Sequence, residues 1–70
     1  MKTYRLQRKR GDLWYDYPSN DRVVTSQSIK YMRGYQDAIA DEHPRFATRI
    51  VWEVSPARIE TVRIVARYGT

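Results

Sequence analysis

The densest hydrophobic pattern in the chain lies in its last third, where apolar and polar residues alternate in two successive segments. A period of two is typical of a β-strand with one buried face, and both segments are rich in β-branched and aromatic residues. Pro56 lies between them, where a turn accommodates proline. The pattern therefore predicts a hairpin of two strands, Phe46–Val54 and Arg58–Tyr68.

A second hairpin is predicted near the N-terminus. Residues 3–9 and 13–17 both alternate between polar and apolar positions, and Arg10-Gly11-Asp12 separates them. Glycine is free to adopt the positive φ that a tight hairpin turn needs. Pro18-Ser19-Asn20-Asp21, a cluster of turn-forming residues, then ends the second of these strands.

Between the two hairpins, apolar residues recur at the three- and four-residue spacing of an amphipathic helix. Thr25, Ser26 and Ser28 are alternative N-caps, and Pro44 ends the helix near Glu42 because the residue before proline avoids helical ψ. The face expected to pack on the sheet carries Ile29, Met32, Gln36, Ile39, Ala40 and His43, with Tyr35 at its edge.

The predicted order of elements is strand, strand, helix, strand, strand. A right-handed crossover through the helix places the third strand beside the first. We therefore expect one α+β domain over residues 1–70, a four-stranded antiparallel sheet in the order 2-1-3-4 (ββαββ) with one helix on one face. The residues expected beneath the helix are Tyr4, Leu6, Leu13, Tyr15, Ile50, Trp52, Val62 and Ile64.

Composition narrows the classes of function. The 70 residues include no cysteine, so disulfides, thiolate catalysis and cysteine-bound zinc are excluded. No apolar run follows the N-terminus, so we expect neither a secretion signal nor a membrane span, and a cytoplasmic location. A domain this short is near the lower limit for folding alone, which leaves completion of its core by a partner or a second copy as an alternative.

The net charge of +5 is unevenly distributed. Residues 1–10 carry a net charge of +5, residues 11–44 carry −3, and residues 45–70 carry +3. Such a field favours polyanions or acidic protein surfaces as partners and carries no information about the fold.

The sheet face opposite the helix is the predicted binding surface. Alternation places on it Gln7, Asp16, Val51, Glu53 and Val65 beside a set of basic residues and one tryptophan. The residues predicted to make the contacts are Arg5, Lys9, Trp14, Arg49, Arg63 and Arg67.

This composition is compatible with three roles. Basic residues around a tryptophan suit a surface that follows a phosphate backbone of DNA or RNA, although no nucleic-acid-binding motif is present. Tryptophan and arginine are also the usual anchors of protein interfaces. The third role is a solvated face, or one that associates with a second copy to form a homodimer.

Enzymatic function is not expected. His43, the one histidine, lies on the predicted core side of the helix, where a packed or capping role is favoured over acid–base chemistry. Asp37 and Asp41 share a helix flank but lack further metal ligands. No glycine-rich phosphate loop occurs, and we expect no cofactor and no metal.

The opening Tyr4-Arg5-Leu6-Gln7-Arg8, then Gly11, Trp14, Asp16 and Tyr17, then a helix and Arg49-Ile50-Val51, resembles a class of very small accessory proteins encoded by phages and prophages. The resemblance implies a stoichiometric inhibitor or modulator of a host protein or nucleoprotein complex, such as a defence complex or polymerase, acting in the host cytoplasm. It covers about fifty residues, leaves out the last strand, and carries over no functional residue.

Overall fold

The computed structural model describes residues 3–17, 25–56 and 58–66, and the predicted turn over residues 18–21 lies outside these ranges. The described chain forms an antiparallel sheet with one helix, which confirms the α+β class. Its elements in order are β1 (Tyr4–Arg10), β2 (Leu13–Asp16), β3 (Thr25–Ser26), α1 (Ile29–Glu42), β4 (Thr48–Ser55) and β5 (Arg58–Val65).

The described part of the sheet has five strands, where four were predicted, in the order β2-β1-β4-β5 with β3 added beside β1. β2 pairs with the C-terminal part of β1, and β3 pairs with Tyr4 and Arg5 at its start. β4 occupies the other edge of β1, so β2 and β3 follow one another along the same edge. Thr25 and Ser26, expected as N-caps, instead satisfy backbone groups of β1 that β2 does not reach.

Helix α1 begins at the third predicted cap. The Ser28 hydroxyl accepts a hydrogen bond from the Tyr31 backbone N–H at 3.1 Å, which satisfies one of the free N–H groups of the first turn. The helix ends at Glu42, and the His43 backbone N–H donates to the Ile39 carbonyl. Its buried side chains are Met32, Gln36, Ile39 and Ala40.

The core lies between α1 and the two central strands, β1 and β4. Leu6 and Ile50 meet Met32 and Ile39 there. The helix does not extend over the edge strand β2, so Leu13 and Tyr15, predicted beneath it, are 62% and 43% exposed. That part of the prediction was wrong because a single helix is narrower than the sheet.

A β-bulge in β5 changes which residues face the helix. Arg63 pairs with Ile50 but Thr61 pairs with Val51, so Val62 is an extra residue without a partner of its own. One extra residue reverses the alternation of side chains beyond it. Arg63 and Val65 therefore lie on the helix side and Ile64 lies on the opposite side, the reverse of what alternation along the sequence predicts.

Candidate binding face

The open face, defined as the sheet surface opposite α1, carries one row of residues that crosses four strands. Asp16 of β2 pairs with Gln7 of β1, Gln7 pairs with Arg49 of β4, and Arg49 pairs with Ile64 of β5. Cross-strand neighbours point to the same side of a sheet. The row therefore brings an acid, an amide, a cation and an exposed apolar residue together on one surface.

Hydrogen bonds join this row into a continuous network. Gln7 Nε2 donates to Asp16 Oδ1 at 3.1 Å, and Arg49 Nε donates to Gln7 Oε1 at 2.8 Å. Arg49 Nη1 also lies 3.5 Å from Thr61 Oγ1, and Arg5 Nε lies 3.9 Å from Asp16 Oδ1. The central side chains of the open face are thus held in place before any partner arrives.

Trp14 lies against this network. The Arg49 guanidinium carbon is 4.5 Å from the Trp14 ring centroid, within the range of a cation–π contact. Partial burial lowers the pKa of the Arg49 guanidinium from its usual range, because a low-dielectric surrounding disfavours the charged form. The guanidinium stays charged and is directed by the ring on one side and by Gln7 on the other.

Val51 is fully buried, although it lies on the face that the helix does not cover. Its cross-strand neighbours are Arg5 and Thr61, and long side chains cover apolar surface with their stems while the charged group stays in water. The polar network therefore also forms a second layer over the sheet, which a 70-residue domain with a single helix otherwise lacks.

Four of the six residues predicted as contacts share the open face, namely Arg5, Lys9, Trp14 and Arg49. Arg63 does not. The bulge at Val62 turns it to the helix side, where Nη2 donates to Asp37 Oδ1 at 2.8 Å and Nη1 to the Arg33 carbonyl at 3.4 Å. Arg67 lies outside the described residues.

Two apolar residues of β5 belong to the open face and were not predicted there. Ile64 is 57% exposed and pairs with Arg49, and Ile59 is 39% exposed and pairs with Glu53. Alternation across β5 assigned Ile64 to the helix side, since the bulge has no glycine or proline to signal it. The open face consequently has Trp14 at one margin and two isoleucines at the other.

A cluster of basic residues, of which only Lys9 was predicted as a contact, lies at one end of the sheet. We call Arg8, Lys9, Arg10 and Arg45 the basic end, and within the described ranges none of them forms an ion pair. The Arg8 guanidinium carbon lies 3.5 Å from the Phe46 ring centroid, and Arg10 lies 5.9 Å from that of Tyr15. The run Arg8-Lys9-Arg10 was a visible signal for this cluster.

His43 was predicted on the core side of the helix and is exposed. Its ring stacks on Phe46, with centroids 4.7 Å apart and planes 11° apart. Arg8 and His43 cannot share one face of the phenyl ring at these distances, so Phe46 lies between them. His43 follows the last helical residue, Glu42, and its ring points outward because Pro44 redirects the chain immediately afterwards.

Neither a metal centre nor a membrane-crossing helix is found within the described ranges. No three histidine, cysteine or acidic side chains come together there as metal ligands, and Asp37 of the predicted weak pair is bound to Arg63. Helix α1, with 14 residues, is too short and too polar to cross a bilayer.

Comparisons of the chain with models of protein families, with characterised proteins and with solved structures found no match. The resemblance to phage accessory proteins therefore stays a prediction that rests on the residues quoted for it.

Proposed function

We propose that this chain is a non-catalytic binding protein that holds a partner protein on its open face, with Trp14 and Arg49 as the main anchor. The stacked pair supports this proposal most directly. Tryptophan and arginine dominate the energetics of protein interfaces, and side chains that are already ordered lose less conformational entropy on binding. The exposed Ile59 and Ile64 extend the same surface with apolar area.

The charge on the open face favours a partner with an acidic or mixed contact surface. Lys9 carries a charge that no described carboxylate balances, whereas Arg5 and Arg49 are already joined to Asp16 and Gln7. A phosphate backbone is bound by releasing counterions from many free cations. Because the network engages two of the three described cations on this face, a protein partner suits it better than a nucleic acid does.

The class of partner follows from the resemblance alone. We propose a host protein or nucleoprotein complex that the chain inhibits or modulates by occupying its surface, as small phage accessory proteins do. A binding role of this kind needs no catalytic residue and no cofactor, and it places the protein in the cytoplasm of the host cell.

A capture experiment from bacterial lysate tests the proposal. The wild-type chain is compared with Trp14→Ala, with Lys9→Glu and with Tyr31→Ala, an exposed aromatic on the outer side of α1 that serves as the control. We expect the same protein to be lost with the first two variants and retained with the third. A protein retained by all three variants, or the absence of any specifically captured protein, would contradict the proposal.

The basic end supports nucleic-acid binding as the second candidate, because its four cations form no ion pair with any described carboxylate. A titration with single- and double-stranded DNA and RNA at several salt concentrations separates the two candidates. If nucleic acid is bound, affinity falls linearly on a log–log salt plot, and Arg10→Ala or Arg45→Ala each lowers the slope by about one unit. The Arg49 side chain is already bonded to Gln7 and stacked on Trp14, so Arg49→Ala should lower the slope by less.

A further inference from the structure

Strand β5 is an edge of the sheet with an unpaired side. It runs for eight residues, and no described segment pairs with its outer backbone groups. Val62 and Ile64 are 42% and 57% exposed on it. A long edge with exposed apolar residues is a template for pairing with another strand. The residues of β5 indicate which strand fits it.

The sequence of β5 is complementary to itself when two copies run antiparallel. Pairing all eight residues places Arg58 opposite Val65, Ile59 opposite Ile64, and Glu60 opposite Arg63 of the second strand. Each of these pairs occurs twice because the arrangement is two-fold symmetric. Glutamate faces arginine and isoleucine faces isoleucine, and no like charges are brought together.

The bulge makes this register possible. In a regular strand, residues an odd number of positions apart point to opposite faces, so Ile59 and Ile64 could not meet across a two-fold axis. The extra residue at Val62 restores the match, since Ile59 and Ile64 both lie on the open face and Glu60 and Arg63 both lie on the helix side. The same irregularity that moves Arg63 beneath the helix thus makes the strand symmetric.

We propose that two copies of this chain associate through their β5 strands in this register and form one continuous antiparallel sheet. Two Ile59–Ile64 pairs then lie on the joined open face, one at each end of the paired segment, and Glu60 gains Arg63 of the other copy as a neighbour on the helix side. The inference does not depend on the proposed function, because it rests on the unpaired backbone edge and the sequence of β5, whereas the Trp14–Arg49 anchor lies on β2 and β4.

Sedimentation equilibrium of the full chain tests the association. We expect a dimer for the wild type, and for Ile64→Lys a dissociation constant at least about tenfold higher, since each substitution acts twice across a symmetric interface. Leu13→Lys alters an even more exposed residue on the opposite edge and leaves the association unchanged. Circular dichroism shows whether each variant remains folded. A wild-type chain that is monomeric at all concentrations overturns the proposal.

Disulfide trapping tests the register, and the chain contains no cysteine that would interfere. Ile59→Cys and Ile64→Cys are prepared separately and oxidised alone and as an equimolar mixture. The mixture alone should give covalent dimers, because the thiol introduced at Ile59 of one copy faces the thiol introduced at Ile64 of the other. Identical positions lie roughly 15 Å apart and cannot be bridged. Trapping of either variant with itself, or no trapping in the mixture, overturns the register.

Discussion

Arg63 of β5 donates a hydrogen bond to Asp37 of α1, with 2.8 Å between Nη2 and Oδ1. This pair links the edge strand β5 to the helix. Arg63 also donates a second hydrogen bond to the helix, to the Arg33 carbonyl. Both side chains remain partly exposed, at 30% and 53%. The arginine therefore aligns the helix with the strand more than it stabilises the core.

Replacing Arg63 with alanine should lower the free energy of unfolding by about 0.5–1 kcal/mol, the range for a partly exposed ion pair. Urea denaturation monitored by tryptophan fluorescence measures the change. Arg58→Ala is the matched control, because Arg58 is in a more exposed pair with Glu60 on the same strand. Loss of stability that is equal in the two variants would contradict a specific role for the Asp37 contact.

Gln36 joins the helix to two strands from inside the core. Its fully buried amide Nε2 lies 3.2 Å from the Thr48 carbonyl and 3.3 Å from the Arg63 carbonyl. Gln36→Leu removes these bonds while keeping similar volume, so we expect a loss of about 1–3 kcal/mol. Calorimetric or urea unfolding measures it, and Gln27→Leu, at an exposed position, should change stability by less than about 0.5 kcal/mol.

Replacing Gly11 and Gly34 with alanine should change the free energy of unfolding in opposite directions. Gly11 has a φ of +62° in the two-residue turn between β1 and β2, where a Cβ is strained, so Gly11→Ala should cost about 1 kcal/mol. Gly34 lies in α1 and a Cβ there would meet nothing within 4 Å, so Gly34→Ala should add about 0.5–1 kcal/mol. Thermal unfolding of the two variants measures the change, and midpoint temperatures that shift in the same direction in both variants would refute the prediction.

The arrangement of Arg8, Phe46 and His43 has a spectroscopic consequence. The side-chain protons of Arg8 and the ring protons of His43 lie over opposite faces of the Phe46 ring, so their NMR signals should be shifted upfield. Phe46→Leu should abolish these shifts and lower stability by about 1 kcal/mol, since a cation–π contact and part of a half-buried ring are lost. Tyr31→Leu, distant from this stack, should leave the shifts unchanged.

Most of the fold follows from local patterns in the sequence. Alternation over residues 3–9 and 46–54 correctly separates Leu6 and Ile50, which are buried under the helix, from Gln7 and Arg49, which lie on the open face. Ser28, one of the three predicted N-caps, caps α1. These features depend on residues that are close together in the chain, so the two-residue alternation of a strand or a capping serine is enough to predict them.

The remainder depends on relationships between distant segments. Thr61, Val62 and Arg63 all suit a regular strand, so the bulge that moves Arg63 off the predicted binding face has no local signal. Strand β3 forms by pairing with the part of β1 that β2 does not reach. Val51 is buried because side chains of the neighbouring strands cover it. Such outcomes are decided by pairing in three dimensions and not by the residues themselves.

The single unpaired residue at Val62 also has a genetic consequence. Deleting it would remove the bulge and leave the other residues of β5 on their present faces, because Thr61 pairs with Val51 and Arg63 with Ile50, the pairs that a regular strand without Val62 also makes. Two versions of this chain that differ only by the codon for Val62 would thus present the same surfaces to a partner. Loss of a residue from the regular part of the strand, such as Ile64, would instead move Val65 to the opposite face, so in descendants of this sequence a deletion at Val62 should be tolerated more readily than one at Ile64.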